Sequence, residues 1–165
     1  MIRPYDADRD RSGLYDCKVA FERSLAAGTG GAEKRRSYEA KLTDEYRREW
    51  LAWVDRCVDD DERCVTVAVD HAGDVVGYAF CLPERLAFVW DAAVVNELYV
   101  NPSHRGTGVA DELMDAALVL ADDQSLPLDR VVLDVDPENA RANGFYERYG
   151  FEPWGELIAR PIGDE

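Results

Sequence analysis

Lysine is nearly absent from this chain: Lys18, Lys34 and Lys41 are its only three, and the basic side chains are otherwise arginine. With 19 Lys and Arg against 34 Asp and Glu, the formal charge is −15. Phosphate backbones are held by clustered Lys and Arg, so this balance excludes a nucleic-acid partner. Long apolar runs are missing as well. Nothing approaches the roughly 18 residues of a membrane span, and the start Met1-Ile2-Arg3-Pro4-Tyr5-Asp6 has no apolar signal-peptide core. The expectation is a cytoplasmic protein that has no membrane partner. Cysteine is scarce too: Cys17, Cys57, Cys64 and Cys81 show no CxxC spacing and sit among apolar neighbours, which argues for buried thiols rather than disulfides or zinc. His71 and His104 have no metal-ligand spacing. Asp134-Val135-Asp136-Pro137-Glu138 opens like a calcium loop, but Asn139 stands where the turn needs Gly and Phe145 where the bidentate Glu belongs, so no metal is expected.

What is abundant is acid. Asp outnumbers Glu and Arg far outnumbers Lys, as in proteins of salt-loving cytoplasm. Self-repulsion of such a surface is screened over about 8 Å in physiological salt and about 3 Å at 1 M.

At 165 residues the chain fits one domain, 1–165, that buries roughly 70% of its unfolded surface without staples. After a short extended start, Leu14, Cys17, Phe21 and Leu25 recur at helical spacing, and Gly28-Thr29-Gly30-Gly31 ends that helix. Tyr38, Leu42, Tyr46, Trp50, Trp53, Val54 and Cys57 form the stripe of a second helix, read as core before pocket lining. Cys64 to Val69 and Val75 to Leu82 form a hairpin with His71 at its tip. A strand from Val94 to Val100 stops at Asn101-Pro102 and feeds a helix carrying Val109, Leu113, Met114, Ala117, Leu118 and Ala121. Arg130 to Val135 reads as a buried strand, Asp136-Pro137 as the cap and first turn of a helix to Tyr149, and Trp154 to Pro161 holds a last strand. The order predicts one mixed α/β sheet with helices on both faces.

The chemistry concentrates after the central strand. In Asn101-Pro102-Ser103-His104-Arg105-Gly106-Thr107-Gly108-Val109-Ala110 a strand feeds a glycine-containing turn that opens a helix. Glycine removes the Cβ atoms that block close approach, and free amides with the helix dipole make a cradle for pyrophosphate. No GKS or GKT follows, and Gly106-Thr107-Gly108 lacks the third glycine or alanine of a dinucleotide fold, so neither nucleotide motif applies.

Arg105-Gly106-Thr107-Gly108-Val109-Ala110 resembles the R/Q-x-x-G-x-G/A signature of the GNAT acetyltransferase superfamily, and Asn139-Ala140-Arg141-Ala142-Asn143-Gly144-Phe145-Tyr146-Glu147-Arg148-Tyr149-Gly150-Phe151 resembles its N-x-x-A-x-x-x-Y-x-x-x-G-F segment. Glu97-Leu98-Tyr99-Val100-Asn101-Pro102 is similar to the family's preceding strand. The resemblance covers about Asn96 to Phe151, while the helices before Asp59 carry no signature. It implies an α/β GNAT-like domain with a mixed, mostly antiparallel central sheet, and an N-acetyltransferase that moves acetyl from acetyl-CoA to a primary amine by direct attack in a ternary complex. The acceptor would be a small molecule or a peptide. The implied cofactor contacts are Leu98, Tyr99, Val100, Arg105, Gly106, Thr107, Gly108, Val109, Ala110, Asn139, Ala142 and Tyr146. Tyr146 is assigned as general acid toward the departing thiolate, and Glu97 as the base for the incoming ammonium. Backbone amides around Leu98 and Val100 would polarise the acetyl carbonyl. Related proteins often pair through their last strands, which implies a homodimer. The alternatives are a non-catalytic acyl-CoA-binding regulatory module and, within the enzyme class, a protein N-terminal acetyltransferase.

Overall fold

A computed structural model describes residues 1–27 and 31–163 of the chain. Strand β1 (Ile2–Pro4) leads into α1 (Ala7–Ala26), which is capped by Asp6 accepting from the Asp8 amide. Buried Asp10 secures this corner by accepting from both guanidinium nitrogens of Arg3, at 2.6 and 2.8 Å, and from the Asp6 amide. Leu14, Tyr15 and Cys17 of α1 enter the core, and so do Lys18 and Glu22. Of the expected helix stop, residues 28–30 lie outside the described residues, and Gly31 begins α2 (Gly31–Lys41).

The aromatic stripe predicted as one helix is two. Thr43 is extended and caps α3 (Asp44–Asp60) by accepting from the Tyr46 amide, as a β-branched hydroxyl residue favours doing. The break separates two fates: α3 buries Trp50, Leu51, Val54 and Cys57, whereas α2 buries nothing and its Tyr38 is only half-buried.

The hairpin forms as expected. β2 (Val65–Val69) and β3 (Val75–Cys81) join through residues 70–74, where the Asp70 carboxylate accepts from the amides of Ala72 and Asp74 and His71 is exposed at the tip. A single helical turn, α4 (Glu84–Ala87), precedes β4 (Ala93–Val100); α5 (Val109–Asp123) follows. Strands lie in the order β1-β2-β3-β4-β5, antiparallel except that β4 and β5 (Val131–Val132) run parallel. Val65, Val67, Tyr78, Phe80 and Tyr99 pack under α1 and α3, while Ala68, Ala79 and Val100 pack under α5. Helices therefore cover both faces, and the sheet is mixed and mostly antiparallel. Gly77 is required where β3 meets β4, because a Cβ there would lie 2.7 Å from the Tyr99 carbonyl oxygen.

Three expectations about the C-terminal part are corrected. The strand expected over Arg130 to Val135 pairs only at Val131 and Val132, both half-buried, because β4 and the chain after Val132 diverge. The last helix, α6 (Ala140–Arg148), does not start at Asp136-Pro137. Asp136 accepts from the Glu138 amide to close a turn, and Asn139 then supplies the cap, its side chain accepting from the Ala142 amide at 3.1 Å. No strand forms between Trp154 and Pro161: those residues are exposed, and a strand needs a paired edge that two-residue β5 scarcely offers. All four cysteines are buried thiols, and burial pushes Cys17 up to about 11 and Cys81 up to about 12.

Candidate functional site

The site is organised by one edge of β4. Asn101 donates its amide to the Val76 carbonyl, so by strand alternation Tyr99 faces β3 while Leu98 and Val100 turn their backbone groups the other way. That other edge is paired with β5 only at Ala93 and Val94. From Val95 onward it is open, and the amides of Leu98 and Val100 point into the gap. Tyr99 differs: its backbone is spent on β3 and its buried ring packs against Phe21 and Tyr78.

At the end of this edge Arg105 donates from Nε to the Val100 carbonyl at 2.9 Å and stacks over the Tyr99 ring. Gly106 (φ 74°) and Gly108 (φ 89°) hold left-handed conformations that side chains disfavour, and nothing stands where their Cβ atoms would be. Thr107 donates its hydroxyl to the His104 carbonyl. Gly108 is the N-cap of α5 and brings no side-chain acceptor, so the first amides of the helix are left for an external anion. Val109 and Ala110 turn their side chains into the core and contribute backbone only.

The C-terminal end of α6 is tied to the first turns of α5. Tyr149 donates its hydroxyl to the Asp111 carboxylate at 3.1 Å, and Arg148 pairs with the same group. Phe145, Tyr146, Tyr149 and Phe151 form a ring cluster. Ala142 and Tyr146, one helical turn apart, are half-buried. Burial pushes the Tyr146 phenol up to about 12, so it keeps its proton at neutral pH. Asn139 has committed its oxygen to capping. Arg141, on the first turn of α6, was quoted within the motif but given no role by sequence reasoning. Its charge is felt by Tyr99, by Tyr146 and by Arg105, whose guanidinium is held below its ordinary value by burial and by Arg141. Two cations kept near each other at a helix N-terminus suit a multiply charged anion, and a bare amide cradle beside a narrow open strand edge suits pyrophosphate with an amide-bearing arm. These residues therefore fit coenzyme A.

Glu97 lies on the opposite side of β4. It is buried at 6% exposure, its Oε1 accepts from the Tyr78 hydroxyl at 2.8 Å and its Oε2 from Lys18 Nζ at 2.9 Å. Lys18 also donates to Glu22 at 2.5 Å, and Lys41 reaches the second Glu22 oxygen. Burial raises the Glu97 pKa, and Lys18 opposes the rise. Sequence reasoning missed Lys18, Glu22, Lys41 and Tyr78. The signal was present: Lys18 and Glu22, an i,i+4 pair, lie on the same stripe as Leu14 and Phe21. Among the described residues no hydrogen bond or ion pair joins Glu97 to Tyr146, which stand on separate elements.

Solved structures share this architecture. The PaiA N-acetyltransferase of Thermoplasma acidophilum, determined in complex with coenzyme A, superposes with a TM-score of 0.70 at 17% identity, covering 92% of this chain and 89% of that one. The fold is thus one these structures share, an α/β sheet with helices on both faces. The family model described as Acetyltransferase (GNAT) family matches residues 32–151, and the chain belongs to that family. Mycothiol acetyltransferase of Salinispora tropica is 36% identical over 101 residues, 59% of this chain and 31% of that protein. The L-methionine sulfoximine/L-methionine sulfone acetyltransferase of Pseudomonas paraeruginosa is 32% identical over 93 residues, 56% of this chain and 53% of that protein. The chain thus spans about a third of the first relative and about half of the second. Among the described residues no helix is long and apolar enough to cross a membrane.

Proposed function

We propose that this chain transfers an acetyl group from acetyl-CoA to a primary amine, small molecule or peptide, by direct attack in a ternary complex. The observation that carries the reading is the open edge of β4, where the amides of Leu98 and Val100 run straight into the uncapped N-terminus of α5. When bound, acetyl-CoA supplies a thioester as the acyl donor. The amides of residues 106 to 110 and the guanidinium groups of Arg105 and Arg141 hold anionic oxygens, and Asn139 and Ala142 border the arm. Leu98 and Val100 donate to the oxygen on which negative charge grows, a contribution typically worth several kcal/mol when preorganised. Tyr146, protonated at neutral pH, donates to the departing sulfur. Glu97 is the base. Oε2 accepts from Lys18 and, at 3.5 Å, from Asn96 Nδ2, whereas Oε1 keeps a lone pair beyond the one used by Tyr78 and can accept the proton an ammonium must lose before attack. The buried thiols and the charge of −15 support a cytoplasmic setting and activity that survives molar salt.

Thermal unfolding with acetyl-CoA, CoA and NAD added separately tests the reading. Saturation at about 100 times Kd adds roughly 2.7 kcal/mol, a shift of several degrees for the two CoA species and none for NAD. Thiol release on adding amines then separates an enzyme from a module that only holds acyl-CoA.

A further inference from the structure

The buried charges beneath β4 form a set of their own. Lys18, Glu22 and Glu97 are exposed by 4%, 3% and 6%. The Lys18 ammonium also sits over the rings of Phe21 and Trp50, at 5.6 and 5.2 Å from their centroids. One cation therefore bridges two buried carboxylates inside an aromatic wall. Isolated burial of any of these charges would be prohibitive, so each depends on the others.

We propose that Lys18 is a positioning residue for acetyl transfer, fixing the orientation and the charge of Glu97 through their buried ion pair. The inference rests on the reading of Glu97 as the base. The groups facing Glu97 are Lys18 and Glu22 on α1, Tyr46 on α3 and Tyr78 on β3, with Lys41 of α2 acting through Glu22 and the neutral Asn96 amide 3.5 Å from Oε2 on β4 itself. Among the described residues Lys18 is the one cation in direct contact with the carboxylate, and Glu22 is the one other carboxylate in the set.

A proton relay through Lys18 is excluded by energetics. Ammonium and carboxylate pKa values ordinarily differ by about six units, and Lys18 is held above its ordinary value, the two carboxylates outweighing burial. Lys18 therefore acts as a fixed charge. An opposite charge within about 4–6 Å favours the ionised carboxylate by about one to three pH units, and a like charge works the other way. Removing Lys18 and removing the charge of Glu22 must then move Glu97 in opposite directions, which no general loosening of the core would do.

The test is carbon NMR of protein labelled at the glutamate carboxyl carbon, with the Glu97 resonance assigned by its loss in Glu97→Gln, alongside the pH profile of kcat/KM. Lys18→Met is expected to raise the Glu97 midpoint and the acidic limb together by about one unit or more. It should lower kcat about tenfold or more while leaving KM for acetyl-CoA within about twofold. Glu22→Gln, which is isosteric and keeps the fold should Lys18→Met not, is expected to lower the Glu97 midpoint and the acidic limb. Lys18→Arg should restore the wild-type midpoint in part. Midpoints that stay within about 0.3 units in Glu22→Gln and in any folded Lys18 variant would overturn the proposal. Midpoints that move as expected, in a protein that releases no thiol with any amine, would uphold the electrostatic pairing and instead reject Glu97 as a base and with it the positioning role.

Discussion

Every buried residue among those described lies between Tyr5 and Leu120, whereas residues 121–163 bury none, α6 included. The first region has helices on both faces of four paired strands. The second is joined to it by two-residue β5, by the bonds of Tyr149 and Arg148 to Asp111, and by the bonds of Gln124 to the Leu82 carbonyl, of the Ser125 amide to Glu84 and of Asp123 to Arg63. Beyond it Trp154, Leu157, Ile158 and Ile162 are largely exposed. The candidate site straddles this divide. The amides of β4 and the cradle of α5 belong to the packed region, while Arg141, Ala142 and Tyr146 belong to the sparse one. The β4 and α5 side stands on a core, while α6 buries no residue, as the uneven local stability along a chain generally allows.

Core truncation gives the largest contrast. Phe80→Ala, which deletes a fully buried ring, should lower the unfolding free energy by about 3–5 kcal/mol in urea titrations, whereas Leu157→Ala should change it by less than about 0.5 kcal/mol. Equal losses would dissolve the distinction. Tyr146→Phe should reduce kcat about 100-fold with KM for acetyl-CoA and the melting temperature nearly unchanged, since only a transition-state contact is removed. Gly77→Ala should destabilise by about 1–3 kcal/mol because the added methyl meets the Tyr99 carbonyl, and through β4 it should also weaken CoA binding. Gly108→Ala is expected to cost about 1 kcal/mol for its left-handed backbone, visible by calorimetry, while acetyl-CoA titration shows a larger loss of affinity than of stability.

The smallest effect is the pH dependence of stability. Asp10 and Glu22 are held below the ordinary carboxylate range: in each, burial pushes upward and is outweighed, by Arg3 for Asp10 and by Lys18 and Lys41 for Glu22. A lowered folded-state pKa means that the unfolded chain binds more protons. This stability is therefore complete above about pH 5 and is lost as pH falls below about 4 toward the folded values. Glu97 is raised by burial and acts in the opposite sense, decreasing stability as pH rises past about 4. Asp10→Asn should flatten the acid side of the unfolding curve; an unchanged slope would place the acid sensitivity elsewhere.

Local patterns were legible wherever one stretch of chain both forms an element and supplies its partner. The β2–β3 hairpin, α1, β4 and α5 lie within a residue or two of their expected places. The strand, glycine-containing turn and helix around Gly106 and Gly108 were legible in the same way. Misreadings occurred where two signals competed. Thr43 overrode an unbroken aromatic stripe, Asn139 overrode Asp136 as the cap, and an apolar run at Trp154 to Pro161 had strand composition without a strand edge to join.

The sequence by itself determined the family and the mixed, mostly antiparallel sheet with helices on both faces, because glycine conformation, strand alternation and helix periodicity are properties of neighbouring residues. Only the tertiary structure decided what Glu97 faces. Glu97 and Tyr99 share one face of β4 by strand alternation, but that this face is closed by Lys18, 79 residues away, and by Tyr78, 19 residues away, follows from α1 packing over the sheet and β3 pairing beside β4. The charge state of a buried carboxylate depends on neighbours brought from elsewhere in the chain, and no local spacing encodes them.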